Sequence, residues 1–198
     1  MGKRHLQRSL QLWHGEPVQV EYRAFFLNAS IPPEGYDFVP YMQAKFDGRI
    51  SLQEAFDTPR RMGAAVGLTF NMEKIRKAPN TALSHALIAL APDSVREALI
   101  DDIYAAYFEH GQDIGDLETL LQLGKKHGLD VDRLRVDLTG KTARAQVEAE
   151  VREAQQIGVR GVPFFIVNDK YAFSGAQPPE TILNVLRQVV AREKEELA

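Results

Sequence analysis

The stretch GVRGVPFFIVNDKYAFSGAQ, residues 158–177, decides the fold of this chain. Residues 163–167 within it are a short apolar segment that predicts a β-strand, and residues 170–174 predict a second strand. Asn168 and Asp169 between them predict a two-residue hairpin turn. Pro178 and Pro179 then begin a helix with one apolar face. The chain therefore ends in a β-hairpin followed by a helix.

Upstream of this stretch the sequence pattern is helical almost throughout residues 38–156. Asn80, Asp93 and Asp116 are placed to cap three of the helices, because their side chains can accept hydrogen bonds from unpaired first-turn amides. The predicted helices span residues 38–47, 51–66, 81–90, 94–109, 116–127, 130–137 and 142–156.

The N-terminal residues predict one more helix and one more strand. Leu6, Leu10 and Trp13 follow a helical spacing within residues 3–14. Apolar side chains alternate in residues 18–25, which is typical of a strand, and residues 25–35 predict a loop because they contain two prolines and a glycine. The predicted order is therefore helix, strand, a long helical block, hairpin and helix, which is an α/β unit that begins on a helix.

Composition excludes several classes of protein. The chain has 198 residues, 44% of them hydrophobic and 26% charged, as in an ordinary globular protein of one domain. Its net charge of −3 argues against a general nucleic-acid binder. No apolar run approaches the ~20 residues of a membrane span, and residues 1–14 lack the apolar core of a secretory signal. The absence of cysteine fits a cytoplasmic location, which we expect for this chain.

Four segments resemble one known family. Residues 158–177, AYFEHGQDIGDLETLLQLGKKHGLD (106–130), FFLNASIPPEG (25–35) and NTALSHALIAL (80–90) are similar to stretches of DsbA-like oxidoreductases of the FrnE type. The resemblance implies an α/β, thioredoxin-like fold with a large all-helical insertion. Residues 1–37 and 157–198 would form the thioredoxin-like domain, which is incomplete, and residues 38–156 would form the helical insertion domain.

The resemblance also implies that the first strand of the fold is missing. In that family a strand is followed by Cys-Pro-Trp-Cys-Tyr-x-Gly-Lys-Arg and a helix, whereas this sequence opens with Met1, Gly2, Lys3 and Arg4. The strand and both cysteines would lie immediately upstream of Met1, so we expect either that an internal Met is taken as the start or that the gene has lost its first segment. Because that strand is central in the family, the strands at 18–25 and 163–167 would leave a gap, collapse onto each other or accept a strand from another chain.

The function that the resemblance implies is thiol-disulfide exchange with proteins. This reaction needs an attacking thiolate and a second, resolving thiol, and the chain as written has neither. The sequence therefore predicts a family member that is inactive as it stands, and leaves open whether the chain is an enzyme. Its partners would be protein thiols, protein disulfides or peptide segments, with no nucleic acid and no membrane, and a homodimer is left open.

Two groups of residues are candidates for the site by resemblance. Gly161, Val162 and Pro163 match the active-site loop of the family, with a cis peptide bond before the proline. A second group, Asn80, Thr81 and His85, would line the cleft. No metal site is predicted, because none of the five histidines form the i, i+4 pair that binds zinc on a helix.

Two further functions are compatible with the residues. The chain is similar in plan to 2-hydroxychromene-2-carboxylate isomerases, which use a serine and glutathione; their serine would also fall upstream of Met1. The third hypothesis is a non-catalytic module that binds peptides in the same cleft. No cofactor is expected except glutathione under the isomerase hypothesis.

Overall fold

Helices make up most of the chain, and its strands are short. The computed structural model describes residues 1–47 and 49–196. In these residues the helices are α1 (Gly2–Gln11), α2 (Phe38–Phe46), α3 (Leu52–Ala64), α4 (Ala82–Leu90), α5 (Asp93–Phe108), α6 (Leu117–Lys126), α7 (Val131–Thr139), α8 (Lys141–Gln156) and α9 (Pro179–Glu196), with a 3₁₀ turn at Met72–Lys74. The strands are β1 (Tyr36–Asp37), β2 (Lys77–Ala78), β3 (Phe164–Val167) and β4 (Tyr171–Ser174).

The chain divides into two compact units. The terminal unit consists of Met1–Tyr22 and Gln155–Ala198, and the helical unit consists of Arg23–Ala154. The assignment of residues 1–37 and 157–198 to a thioredoxin-like domain, and of 38–156 to an insertion, stays a prediction. Gly48 of that insertion, and Leu197 and Ala198 at the C-terminus, lie outside the described residues.

The terminal unit contains α1, the β3–β4 hairpin and α9. The two strands pair antiparallel, with Phe164 opposite Ser174 and Val167 opposite Tyr171. The rings of Phe165 and Phe173 stack across the pair with 4.6 Å between their centroids. Helix α1 packs against α9. The apolar face of α9 supplies most of the buried apolar side chains described in this unit: Ile182, Leu183, Leu186 and Val189.

The helical unit has a core built almost wholly from helix–helix contacts. Helix α4 packs against α5, α6 and α7, and α6 also packs against α5 and α7. Burying a leucine or valine side chain of this kind stabilises a fold by roughly 1.5–3 kcal/mol. The most deeply buried side chains of the core are Leu87, Leu99, Leu120, Leu121 and Val147.

A second apolar cluster of the helical unit forms around two short strands. Strand β1 pairs antiparallel with β2, Tyr36 lying opposite Ala78. Phe38, at the first position of α2, stacks on Phe56 of α3 with 5.8 Å between the ring centroids. Ile75 is 2% exposed beside them. The sequence did not predict these strands, because two residues are too few to show a period of alternation.

The helices predicted between residues 38 and 156 are confirmed, each with ends within two residues of the prediction. Asp116 caps α6 as expected, accepting a hydrogen bond from the Thr119 amide at 2.8 Å. The predicted cap at Asp93 is wrong. Asp93 is itself the first residue of α5, after Pro92 at the N-cap, and its carboxylate instead pairs with the Arg96 guanidinium.

The predicted strand at residues 18–25 is wrong for the described part of the chain, where these residues belong to no strand. A strand requires hydrogen bonds between its backbone and a neighbouring strand. Here the Ala24 amide instead donates to Glu150 Oε2 of α8 at 2.8 Å, and the Arg23 guanidinium pairs with Glu153 Oε2 at 2.5 Å. Carboxylates on a helix therefore bind the end of this segment in place of a β-ladder.

Two details at the end of the chain also differ from the prediction. Three residues separate the paired ends of β3 and β4, because Lys170 belongs to the turn; Asn168 and Asp169 both take positive φ angles there. The charged residues 193–196, whose composition by itself suggests a frayed helix end, are helical to Glu196. Asn168 donates to Glu193 at 2.8 Å and Lys170 Nζ lies 2.9 Å from Glu196 Oε2, so the hairpin turn holds the last turns of the helix.

Among the described residues, no helix has the length and apolar character needed to cross a membrane.

Candidate functional site

The loop before β3 presents an exposed main chain. The Val162–Pro163 peptide bond is cis. The Pro163 carbonyl accepts a hydrogen bond from the Gly175 amide at 2.9 Å, which attaches the loop to the residue after β4. Val162 as a whole residue is 49% exposed, and its main chain makes no hydrogen bond within the described residues. The loop therefore has backbone groups available to an extended peptide.

The N-terminal end of α1 packs directly on this loop. Gly2 is buried, and a Cβ atom at this position would lie 2.5 Å from Pro163 Cγ and 2.9 Å from Pro163 Cβ. The first turn of α1 carries no acidic residue, and Met1 makes no side-chain capping bond. The partial positive charge of a helix N-terminus therefore lies beside the Pro163 ring without an acidic group of the first turn to offset it.

His5 holds α1 against the segment that follows β4. Its Nδ1 lies 2.8 Å from the Gln177 carbonyl oxygen and 3.3 Å from that of Ala176. Since carbonyl oxygens only accept, Nδ1 is the donor in these contacts. Sequence reasoning did not select His5, because its partners lie more than 170 positions away. For Gly2, the sequence indicates only that it aligns with the Gly-Lys-Arg of the family motif.

Asn80, Thr81 and His85 lie together at the start of α4. The Asn80 side chain accepts a hydrogen bond from the Ala82 amide at 3.0 Å and donates one to the Ile31 carbonyl at 2.7 Å. It therefore both binds the first turn of α4 and ties that turn to the 25–35 loop. Thr81 is the N-cap residue, and its carbonyl accepts from the His85 amide at 3.0 Å. Their predicted role in lining a cleft stays a prediction.

His85 is a partly buried residue of α4, and its side chain contacts the 23–26 segment of the same unit. Its ring lies 5.7 Å from that of Phe26, and it hydrogen bonds the backbone of Phe25. Burial lowers the pKa of His85 below 6.5, and this effect outweighs both that hydrogen bond and the negative charge of Glu150, which act in the opposite direction. The neutral imidazole is therefore the form that the folded unit favours.

The structure thus places the candidate residues in two different units: Gly161, Val162 and Pro163 in the terminal unit, and the α4 group in the helical unit. Within residues 1–47 and 49–196, no group of three His, Cys, Asp or Glu side chains is arranged to hold a metal ion. What the terminal unit offers chemically is a helix N-terminus beside a loop with exposed backbone groups. Such an arrangement can bind an extended chain and stabilise a negative charge.

The contact between Gly2 and Pro163 predicts that a methyl group cannot be accommodated there. Gly2→Ala should lower the free energy of unfolding by roughly 1–3 kcal/mol, the usual cost of overpacking, although helix propensity alone favours alanine by about 1 kcal/mol. Gly161→Ala is the control, because nothing lies within 4 Å of its Cβ position. Urea unfolding followed by Trp13 fluorescence measures both; equal stability of the two variants would contradict the contact.

The environment of His85 predicts a pH-dependent stability. Its folded pKa is below the unfolded value, so the unfolded chain binds a proton that the folded chain does not. Stability should therefore fall as the pH drops below about 6.5, with a limiting slope of about 1.4 kcal/mol per pH unit for one proton. His85→Gln, which keeps a hydrogen-bond donor, should remove that part of the slope in urea titrations between pH 7.5 and 5.5. The exposed His110→Gln is the control and should leave the slope as it is; an unchanged slope in His85→Gln would refute the assignment.

Comparison with known proteins identifies a protein family whose model matches this chain. Residues 1–187 match the family model described as "DSBA-like thioredoxin domain". The Bacillus subtilis (strain 168) protein YwbO is 25% identical over 157 residues, which cover 78% of this chain and 74% of that protein.

Two solved structures show the same fold. The crystal structure of the probable DsbA oxidoreductase SCO1869 from Streptomyces coelicolor has 30% sequence identity and a TM-score of 0.85, covering 96% of this chain and 83% of that one. A 2-hydroxychromene-2-carboxylate isomerase has 15% identity and a TM-score of 0.68, covering 100% and 92%. The likeness to the isomerase is one of fold alone. The chain has a thioredoxin-like fold with a helical addition. Because a family model matches nearly its whole length, the chain belongs to the DsbA-like thioredoxin domain family.

Proposed function

We propose that this chain is the substrate-binding body of a protein disulfide oxidoreductase, and that its partners are extended polypeptides carrying thiols or disulfides. The observation that carries the proposal is the packing of the α1 N-terminus on the Val162–Pro163 loop. A thiolate needs stabilisation of its negative charge, and its substrate needs a surface that binds an extended chain. The two requirements are met side by side in the terminal unit.

The chain contains no cysteine, and this limits what it does unaided. Disulfide exchange forms a bond between an attacking thiolate and one sulfur of the substrate, and the other sulfur leaves as a thiolate. The sulfur of methionine is a thioether and has no proton to lose. The chain as written therefore binds the polypeptide without exchanging its disulfide, and a pair of cysteines placed ahead of α1 would supply the reaction.

The finer placement within the family is also a proposal. Residues 106–130 and 25–35 favour the FrnE type, and the absence of cysteine favours the cytoplasm, where thiols are kept reduced. An isomerase that uses glutathione is a weaker candidate, because its only support is a shared fold. The non-catalytic peptide-binding module differs from our proposal only in that added cysteines would not activate it.

Insulin reduction tests the proposal. One protein is the chain as written, and the other is the chain preceded by a strand-forming segment that ends in Cys-Pro-Trp-Cys-Tyr. We expect no activity from the first and reduction of insulin by dithiothreitol to accelerate with the second. An extended protein that binds peptide but does not accelerate reduction would favour the binding module. If the extended protein does not accelerate insulin reduction but converts a chromene carboxylate in the presence of glutathione, the isomerase hypothesis would be favoured.

A single engineered thiol tests the electrostatic part of the proposal. Met1→Cys, expressed behind a short Met-Ser leader, places a sulfur at the N-cap of α1, whereas Leu12→Cys places one at the exposed C-cap of the same helix. The pKa of the Met1→Cys thiol should fall below the ordinary value of about 8.5, and that of the Leu12→Cys thiol should not. Alkylation rates by iodoacetamide as a function of pH measure both values. If the two thiols titrate together, α1 does not provide the stabilisation that the proposal needs.

A further inference from the structure

A groove with an apolar floor opens in the helical unit. It has a volume of about 250 Å³ and lies between the start of α2, helix α3 and residues 72–76. Phe38, Phe56 and Ile75 form its floor and are 6%, 9% and 2% exposed. Val39, at one wall, is 45% exposed, which is high for an apolar side chain beside a core.

Two arginines lie at the rim of this groove, and one of them is already neutralised. The Arg60 guanidinium pairs with Glu73 Oε2 at 2.6 Å and lies 3.9 Å from Asp57 Oδ1. Hydrogen bonds from the backbone of Glu73 itself and from Arg60 lower the pKa of the Glu73 carboxyl, although partial burial opposes them. Arg60 and Glu73 therefore form a closed ion pair with little charge left for a ligand.

Arg76 is the second arginine at the rim, and it has no such partner. Its guanidinium donates to the backbone carbonyl of Glu73 at 3.2 Å and makes no ion pair with a carboxylate of the described residues. An uncompensated guanidinium thus faces solvent at the edge of an apolar groove. Guanidinium groups bind carboxylates through two parallel hydrogen bonds.

We propose that this groove binds a small free carboxylic acid with an apolar tail. The tail would lie on the Phe38 and Phe56 rings, and the carboxylate would pair with Arg76. A volume of about 250 Å³ is below the ~300–1,000 Å³ of sites for drug-sized ligands. At roughly 30 Å³ per water-sized group, it holds about eight non-hydrogen atoms, which is the carbon chain of a C8 acid whose carboxylate oxygens lie outside, at Arg76. That size corresponds to an acid such as octanoate.

The charge pattern selects the carboxylate over other amphiphiles. A cationic amphiphile would be repelled by the Arg76 guanidinium, and a neutral one would leave that guanidinium without a new partner. The site uses no residue of the Val162–Pro163 loop and requires no thiol, so the proposal does not depend on the redox function.

A titration of the full chain with octanoate, followed by two-dimensional ¹H–¹⁵N NMR, tests the proposal. The amides of residues 38, 39, 56 and 72–76 should shift together and saturate. Octanamide is the matched neutral ligand, because it has the same tail and shape. We expect octanoate to bind about five-fold more tightly than octanamide, the size of effect expected for a partly exposed charge pair.

Variants separate the charge from the apolar floor. Arg76→Gln should bring the octanoate-to-octanamide affinity ratio to about one. Arg61→Gln is the control, because Arg61 is an exposed arginine of α3 that does not line the groove, and it should keep the ratio. Val39→Glu places a carboxylate at the exposed wall and should weaken octanoate more than octanamide.

Three results would overturn the proposal. Equal affinity for octanoate and octanamide in the unmodified chain would remove the role of Arg76, as would a ratio that persists in Arg76→Gln. Shifts that spread over the surface without saturating would show that there is no site. Tighter binding of acetyl-Leu-Phe with a free C-terminus than of octanoate would assign the groove to a peptide terminus instead of a free acid.

Discussion

Backbone hydrogen bonding limits how much sheet this chain can form, and the rest of the architecture follows from that limit. The described strands occur only as pairs, and each member has just one neighbour. A segment without a strand beside it must satisfy its amides in another way or leave them to water. At Ala24 the structure uses a carboxylate of α8, Glu150, which accepts the amide hydrogen. Helices therefore supply nearly all of the buried core, because each one satisfies its own backbone and needs only an apolar face to pack.

The site in the terminal unit depends on a different constraint, which is close packing. The α1 N-terminus approaches the Pro163 ring as closely as it does only because Gly2 has no side chain. His5 fixes the same helix from its other side, through two main-chain carbonyls. Gly175 fixes the loop itself. These contacts hold a helix N-terminus and the Val162–Pro163 loop together without any contribution from sulfur, so a chain with no cysteine keeps the arrangement.

The helical unit carries chemistry of its own. The burial of His85 beside the 23–26 segment lowers its pKa, and the groove at Phe38 and Phe56 combines an apolar floor with a guanidinium that has no ion pair in the described residues. Neither feature uses the loop before β3. The two units therefore carry separate candidate surfaces: we propose that one binds main chain and that the other binds an apolar tail with a carboxylate.

The sequence by itself determined the helices, the hairpin and the family. Helical periodicity and capping residues such as Asp116 depend on neighbours within a few positions, and the proline loop at 158–177 is a local pattern as well. Only the tertiary structure decided that residues 18–25 form no strand, since pairing depends on what lies beside a segment and not on its own alternation. The same is true of the contacts of Gly2 and His5 and of the groove below Arg76. Each of these joins residues far apart in the chain, and no spacing in the sequence records such a distance.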